Sequence, residues 1–157
     1  MDITLRKMRP TDRDAVMRLL AHWGMAPQAP SATVPDPERS DIDLANAFVA
    51  EDGVRIVGVA SYFILDAESA ETASLAVDPD YRGARVGYAL QQARLQEMRR
   101  RGIKRVRTET DRPDTIRWYM DKFGYRIIGH NPKKHAFSLP DVDHWTVLEL
   151  DLETAAL

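Results

Sequence analysis

Residues 75–90 read Leu75-Ala-Val-Asp-Pro-Asp-Tyr-Arg-Gly-Ala-Arg-Val-Gly-Tyr-Ala-Leu90: an apolar run, a turn with one proline and two glycines, then a helical pattern. The segment predicts a buried strand that passes through a tight turn holding Arg82, Gly83 and Gly87 directly into a long helix. Such a turn aims successive backbone N–H groups at one point, at the positive end of the helix dipole, where phosphate oxygens are favoured. Glycine also lets a ligand approach the backbone closely. The Gly-Lys-Ser/Thr ending of a Walker loop is absent, and Gly83 and Gly87 do not have the spacing of a dinucleotide-binding G-x-G-x-x-G. A strand-to-helix turn whose glycines serve only local geometry is the competing reading.

Upstream, residues 3–9 alternate Ile3 and Leu5, less cleanly Met8, with polar residues, and predict a strand. Thr11 is the expected N-cap of a helix carrying Val16, Leu19, Leu20 and Trp23 on one stripe, closed by Gly24. Residues 25–45 hold Pro27, Pro30, Pro35 and Pro37 and predict a long irregular loop, a functional lid or a disordered segment, with a short helix possible near 40–44. Asp52-Gly53 between two β-rich runs predicts a hairpin of residues 47–50 and 56–65. A strand over 72–77 comes next. The helix over 85–101 is expected to turn Val86, Leu90 and Ala93 inward and to stop at Gly102. A strand over 103–110 leads to a helix over 113–123, begun at Asp111 or Asp114 and stopped by Gly124. Strands over 125–129 and 145–152 close the chain. Hairpins first and crossover helices later imply an α/β fold of the α+β kind, a mixed sheet covered by helices.

The length of 157 residues fits a single domain, 1–157, able to bury a core without staples. No cysteine is present, which excludes disulfides, Cys-ligated zinc, iron–sulfur clusters and a thiol nucleophile. Charges nearly balance, 22 Lys+Arg against 24 Asp+Glu for a net −2, which argues against wholesale neutralisation of nucleic-acid phosphates. No stretch nears the about 18 apolar residues of a membrane span, and the first residues lack an apolar leader core. A cytoplasmic protein is expected, with no membrane and no nucleic-acid partner.

The segment resembles the acetyl-CoA-binding motif of the GNAT acyltransferase superfamily, Arg/Gln-x-x-Gly-x-Gly/Ala after a V-x-P-x-x-R-G lead. Val77-Asp-Pro79, Arg82-Gly83, Gly87 and Ala89-Leu90 carry the match, with Arg85 at the position of the middle glycine. Lys122-Phe-Gly-Tyr125 resembles the family's K-L-G-F, and the element order resembles the family from residue 1 to about 152. The resemblance implies a largely antiparallel sheet with one parallel, splayed strand pair, flanked by helices. It implies acetyl-CoA as acyl donor and an amine-bearing small molecule or peptide as acceptor, and it allows a homodimer. Leu75, Ala76 and Val77 would then offer backbone groups to the pantetheine arm. Backbone N–H groups across Arg82, Gly83, Ala84, Arg85, Val86, Gly87 and Tyr88 would hold the pyrophosphate. The amine would attack the thioester directly, with which the missing cysteine agrees.

Such an attack needs a base. Glu71 resembles the base position of histone-acetylating members, and Glu109 that of members acting on protein N-termini; the two strands are expected to be neighbours. The leaving thiolate needs an acid. Counted back from Gly124, the family's tyrosine falls at Met120, with Tyr119 one residue earlier as the candidate. Trp23, the 25–45 loop with Asp41 and Asp43, and the loop holding His135 are the expected acceptor side. His130, His135 and His144 suit an acceptor wall or assistance in proton transfer, and no spacing of ligands suggests a metal. The run Arg99-Arg-Arg101 with Lys104, Arg105 and Arg107 reads as dipole-complementing and surface charge rather than a nucleic-acid patch. A non-catalytic acyl-CoA sensor or partner-binding module on the same fold is the alternative function.

Overall fold

A computed structural model, which describes residues 2–27, 30–33, 41–83, 85–135 and 137–157, follows the expected order. It runs β1 (Ile3–Lys7), α1 (Arg13–His22), β2 (Ala47–Asp52), β3 (Arg55–Ile64), β4 (Ser69–Val77), α2 (Val86–Arg100), β5 (Arg105–Thr110), α3 (Pro113–Phe123), β6 (Arg126–Pro132) and β7 (His144–Asp151). The strands form one sheet in the order β1-β2-β3-β4-β5-β7-β6. Every neighbouring pair is antiparallel except β4 and β5.

Hydrophobic patterning assigns the layers. Val16, Leu19 and Leu20 of α1 bury against Val49, Val59 and Ala76 on one face. Leu95 and Met98 of α2 and Tyr119 and Phe123 of α3 join Tyr62, Val106 and Leu148 on the other. Gly58 in β3 is where α2 comes closest: a Cβ there would lie 2.8 Å from Leu90 Cδ1 and 3.1 Å from Val86 Cγ1. Gly58→Ala is therefore expected to destabilise the protein by about 1–3 kcal/mol through overpacking, read as a lower urea midpoint.

The parallel pair positions the site. Residues pair from Ser69–Arg105 to Thr72–Thr108 and no further, although β4 continues to Val77 and β5 to Thr110. At the same level β4 carries an extra residue against β3, since Tyr62 opposes Thr72 while Ala60 opposes Leu75. A bulge increases local twist and bends its strand, and here β4 turns away from β5 beyond it.

Several local expectations need correction. Thr11 does not cap α1. A 3-10 turn spans Pro10–Asp12, and Asp12 binds the Arg9 amide and, at 2.8 and 2.9 Å, the Arg6 guanidinium. Those bonds, the Arg6 pair first, hold the Asp12 carboxyl below its usual range. Gly24 does close α1, at φ +67°, with Gly24 N–H donating to Ala21 and Met25 N–H to Leu20. Ala93 is only half-buried, and the fully buried polar positions of α2 are Gln91 and Arg94. Neither Asp111 nor Asp114 starts α3; Arg112 precedes it without a side-chain bond. The short helix near 40–44 is a 3-10 turn at Leu44–Asn46, with Asp43 accepting from Ala45 N–H; Ser40 lies outside the described residues. Arg99 ties the chain's last turn down through the Leu152 carbonyl, and Arg101 binds Asn46 and Tyr62, so both cations have internal work.

Candidate active site

Where β4 leaves β5, backbone amides on the β5 side of β4 lose their strand partner. Leu75, Ala76 and Val77 form this edge and line a groove of about 300 Å³ together with Arg82, Arg112 and Trp23. The Trp23 indole donates to the Val77 carbonyl at 3.0 Å and has two guanidinium groups over its ring, Arg82 at 5.7 Å and Arg112 at 5.6 Å from its centre. Arg112 also donates to the Trp23 carbonyl at 2.9 Å.

One end of the groove is the turn before α2. Asp78 accepts from Asp80 N–H and sets a 3-10 turn over Pro79–Tyr81, after which Gly83 takes φ +83°. Arg85 takes φ +60°, ψ 23°, a left-handed conformation that glycine adopts more readily. Its guanidinium rests 4.5 Å from the Tyr88 ring centre. No side chain caps α2, so its leading N–H groups keep their capacity for an anion. No atom comes within 4 Å of a Cβ built on Gly83, and Gly87 would meet only Val77. Val86 is buried beside Gly58 and offers backbone alone. Ala84 lies outside the described residues.

Deeper in the splay is a cavity of about 60 Å³, lined by Ala73, Leu75, Thr108, Glu109, Tyr119 and, across from them, Met25, Phe137 and Trp145. That space is larger than a single water needs and suits a small acyl group. Glu109 reaches it because side chains alternate: Val106 faces α2 and α3, so Arg107 and Glu109 face the other way. Arg107 at 3.4 Å and the Asn131 amide at 3.0 Å both donate to Oε1. Among the described residues no donor is bonded to Oε2.

Tyr119 enters from α3. It is 3% exposed, and its hydroxyl accepts from the Arg94 guanidinium at 2.9 Å. A guanidinium has no acceptor atom, so this phenol cannot donate back to it. No described residue accepts the Tyr119 proton, and the cavity is where it can go. Met120, at the position predicted by counting from Gly124, is 38% exposed. Glu71 pairs in register with Arg107 and shares its face of the sheet, but it sits where β4 and β5 are still bonded and does not line the cavity.

The facing wall is a loop clasped from below. Lys133 and Asp111, with side chains 5% and 1% exposed, pair at 2.7 Å. Asp111 also accepts from Ser138 Oγ and Leu139 N–H, while Lys133 donates to the carbonyls of Phe137 and Leu139. Ser138 N–H donates to Gly24, joining the loop to the end of α1. Asp41 and Asp43 line neither cavity nor groove; Asp41 pairs with Arg13 and Asp43 caps the 3-10 turn. His130 and His144 meet ring to ring across β6 and β7, and no histidine lines the cavity. Asn131, Asp111, Lys133 and Arg94 carry no motif. For Arg94 a signal exists: it falls four residues after Leu90 and four before Met98, on the apolar stripe of α2.

Comparison with known proteins agrees with this architecture. A family profile described as acetyltransferase (GNAT) family matches residues 15–125. Ard1 from Thermoplasma volcanium superposes with a TM-score of 0.73 at 21% identity, over 96% of this chain and 98% of that one. The ribosomal-protein-S18-alanine N-acetyltransferase from Escherichia coli gives 0.71 at 19% identity, over 96% and 94%. YncA from Salmonella typhimurium, solved with acetyl-CoA, gives 0.71 at 17% identity, over 100% and 98%.

Proposed function

The chain belongs to the acetyltransferase (GNAT) family, and on that premise we propose that residues 1–157 act as one domain transferring an acetyl group from acetyl-CoA to an amine. The observation that carries this reading is that Glu109, a carboxylate with one oxygen unbonded among the described residues, and Tyr119, a phenol whose proton no described residue accepts, line the same cavity at a strand splay. The donor has a place in the groove that opens from that cavity. The free edge of β4 suits the amides of a pantetheine arm, as an added strand would. Gly83, Arg85 and the uncapped start of α2 suit a pyrophosphate, with the Arg82 charge beside them.

The chemistry then divides between two side chains. Glu109 takes the proton that the amine sheds as nitrogen bonds to the acyl carbon, and Tyr119 gives its proton to the sulfur as the C–S bond breaks. A proton passing from Glu109 to Tyr119 through solvent restores both groups. Glu71 is left as a strand carboxylate outside the cavity. The acceptor is an amine-bearing small molecule or peptide that reaches the site past Met25, Phe137 and Trp145.

Two measurements test this. Acetyl-CoA is expected to raise the melting temperature by several degrees, as binding to the native state must, and thiol release is expected with at least one member of a broad amine and peptide panel. Stabilisation without thiol release across the panel would favour an acyl-CoA sensor. No stabilisation by any acyl-CoA would remove the donor assignment.

A further inference from the structure

Arg94 is a fully buried cation without a counter-ion among the described residues. It is 0% exposed, and its four bonds go to the Gln91 amide oxygen at 2.5 Å, the Ser61 and Ser74 carbonyls at 3.0 Å each, and the Tyr119 hydroxyl at 2.9 Å. All four acceptors are neutral, and among the described residues no carboxylate lies within ion-pair distance. Arginine does not escape this by losing its proton. Burying an uncompensated charge is unfavourable, so its retention in an otherwise apolar stripe calls for an anion that arises some of the time.

The network around it fixes where that anion would be. The Gln91 carbonyl faces Arg94, and its amide N–H₂ donates to Tyr125, whose hydroxyl burial pushes well above the usual phenol range. Tyr125 thus stays a neutral acceptor. Ser61 of β3 and Ser74 of β4 lie at the bulge, so the two bonds from one guanidinium nitrogen tie the two strands together there. The remaining bond is the one to the cavity-lining phenol.

Resting on the role given to Tyr119, we propose that Arg94 is a positioning residue that stabilises the phenolate left when Tyr119 gives its proton to the departing sulfur. Before transfer the guanidinium faces a neutral phenol; after transfer it faces an oxyanion at the same distance, with no side chain needing to move. An interaction that strengthens only as charge develops lowers the barrier without tightening donor binding. Atoms and charge balance: the sulfur gains the phenolic proton, Tyr119 holds the electron pair of its O–H bond, and the proton held by Glu109 returns to it through solvent.

The test is a double-mutant cycle on the full chain with acetyl-CoA and an amine found active. Arg94→Met is expected to lower kcat about 10²-fold or more, near the effect of losing one oxyanion donor, with the calorimetric Kd for acetyl-CoA changed by less than about threefold. Tyr119→Phe alone is expected to lower kcat similarly, and adding Arg94→Met to it to cost less than about threefold more, because the two act as one unit. Arg94→Lys keeps the charge and is expected to recover most of the rate. Wild-type kcat in Arg94→Met, or losses that multiply in the double variant, would overturn the proposal while leaving acetyl transfer intact. If Arg94→Met does not fold, Arg94→Lys decides: a folded Lys variant as slow as Tyr119→Phe overturns it, and one within about threefold of wild type supports it. Full activity in Tyr119→Phe removes the acid assignment and this proposal together, whereas absence of any wild-type transfer removes the function.

Discussion

Glu109→Gln is expected to lower kcat by about 10²- to 10³-fold at neutral pH, the range of a lost general base, with acetyl-CoA affinity unchanged. The amide keeps the volume and can still accept at its oxygen, so the bonds from Asn131 and Arg107 have a partner and the wall of the cavity is preserved. What disappears is an atom able to take the proton of the attacking amine. The deficit should shrink as pH rises and hydroxide takes over removal of the proton shed at nitrogen, which separates a missing base from a distorted site. Glu71→Gln is expected to change kcat by less than about threefold, since Glu71 sits on the paired part of β4 and lines no wall of the cavity. Steady-state rates of the two variants across pH 6–9 decide between them. If Glu71→Gln carried the large loss and Glu109→Gln the small one, the base assignment would be reversed.

Those two glutamates show what the sequence can and cannot specify. Alternation along each strand places both side chains on one face, and the Glu71–Arg107 register confirms that they share it. What separates them is where pairing stops. The bulge at Ala73–Ser74 is a misfit of one residue between β3 and β4, set by packing across the sheet and unmarked by glycine or proline. Hence Glu71 ends up on the bonded side of the splay and Glu109 at its mouth. Turn chemistry was far more legible. Gly53, Pro113 and Gly124 mark the β2–β3 hairpin and α3 because the constraint sits in the residue itself, although Asp52 pairs with Arg55 as the end of β2 and the loop residues are Gly53 and Val54, one position later than Asp52-Gly53. Polar residues with several possible partners were not. Asp111 precedes a helix and reads as its cap, but a buried lysine from a distant loop competes for it and wins. Arg94 was hidden for a similar reason: helical periodicity marks its face as inward, while composition expects arginine outside.

Lys133→Met is expected to destabilise the protein by about 3–5 kcal/mol, because it leaves the Asp111 carboxylate buried without its cation. The pair is nearly sealed, at 5% and 1% side-chain exposure, so solvent screens little of the interaction. Ser138 Oγ and Leu139 N–H would still donate to Asp111, but two neutral donors do not replace a charge at 2.7 Å. Removing both charges is a different matter. Lys133→Met with Asp111→Leu leaves no orphaned ion and is expected to recover at least half of the lost stability, read from urea unfolding midpoints. Function should not follow stability. The clasp is what holds Phe137 and Ser138 against the cavity, through two carbonyls on Lys133 and two donors on Asp111. The double variant, even if as stable as the parent, should therefore raise KM for the amine more than for acetyl-CoA, whose groove is lined by β4, Arg82 and the start of α3 and takes only Leu139 from this loop. Equal changes in both constants would mean that the loop does not shape the acceptor side. A Lys133→Met variant as stable as the wild type would mean that Asp111 finds another partner.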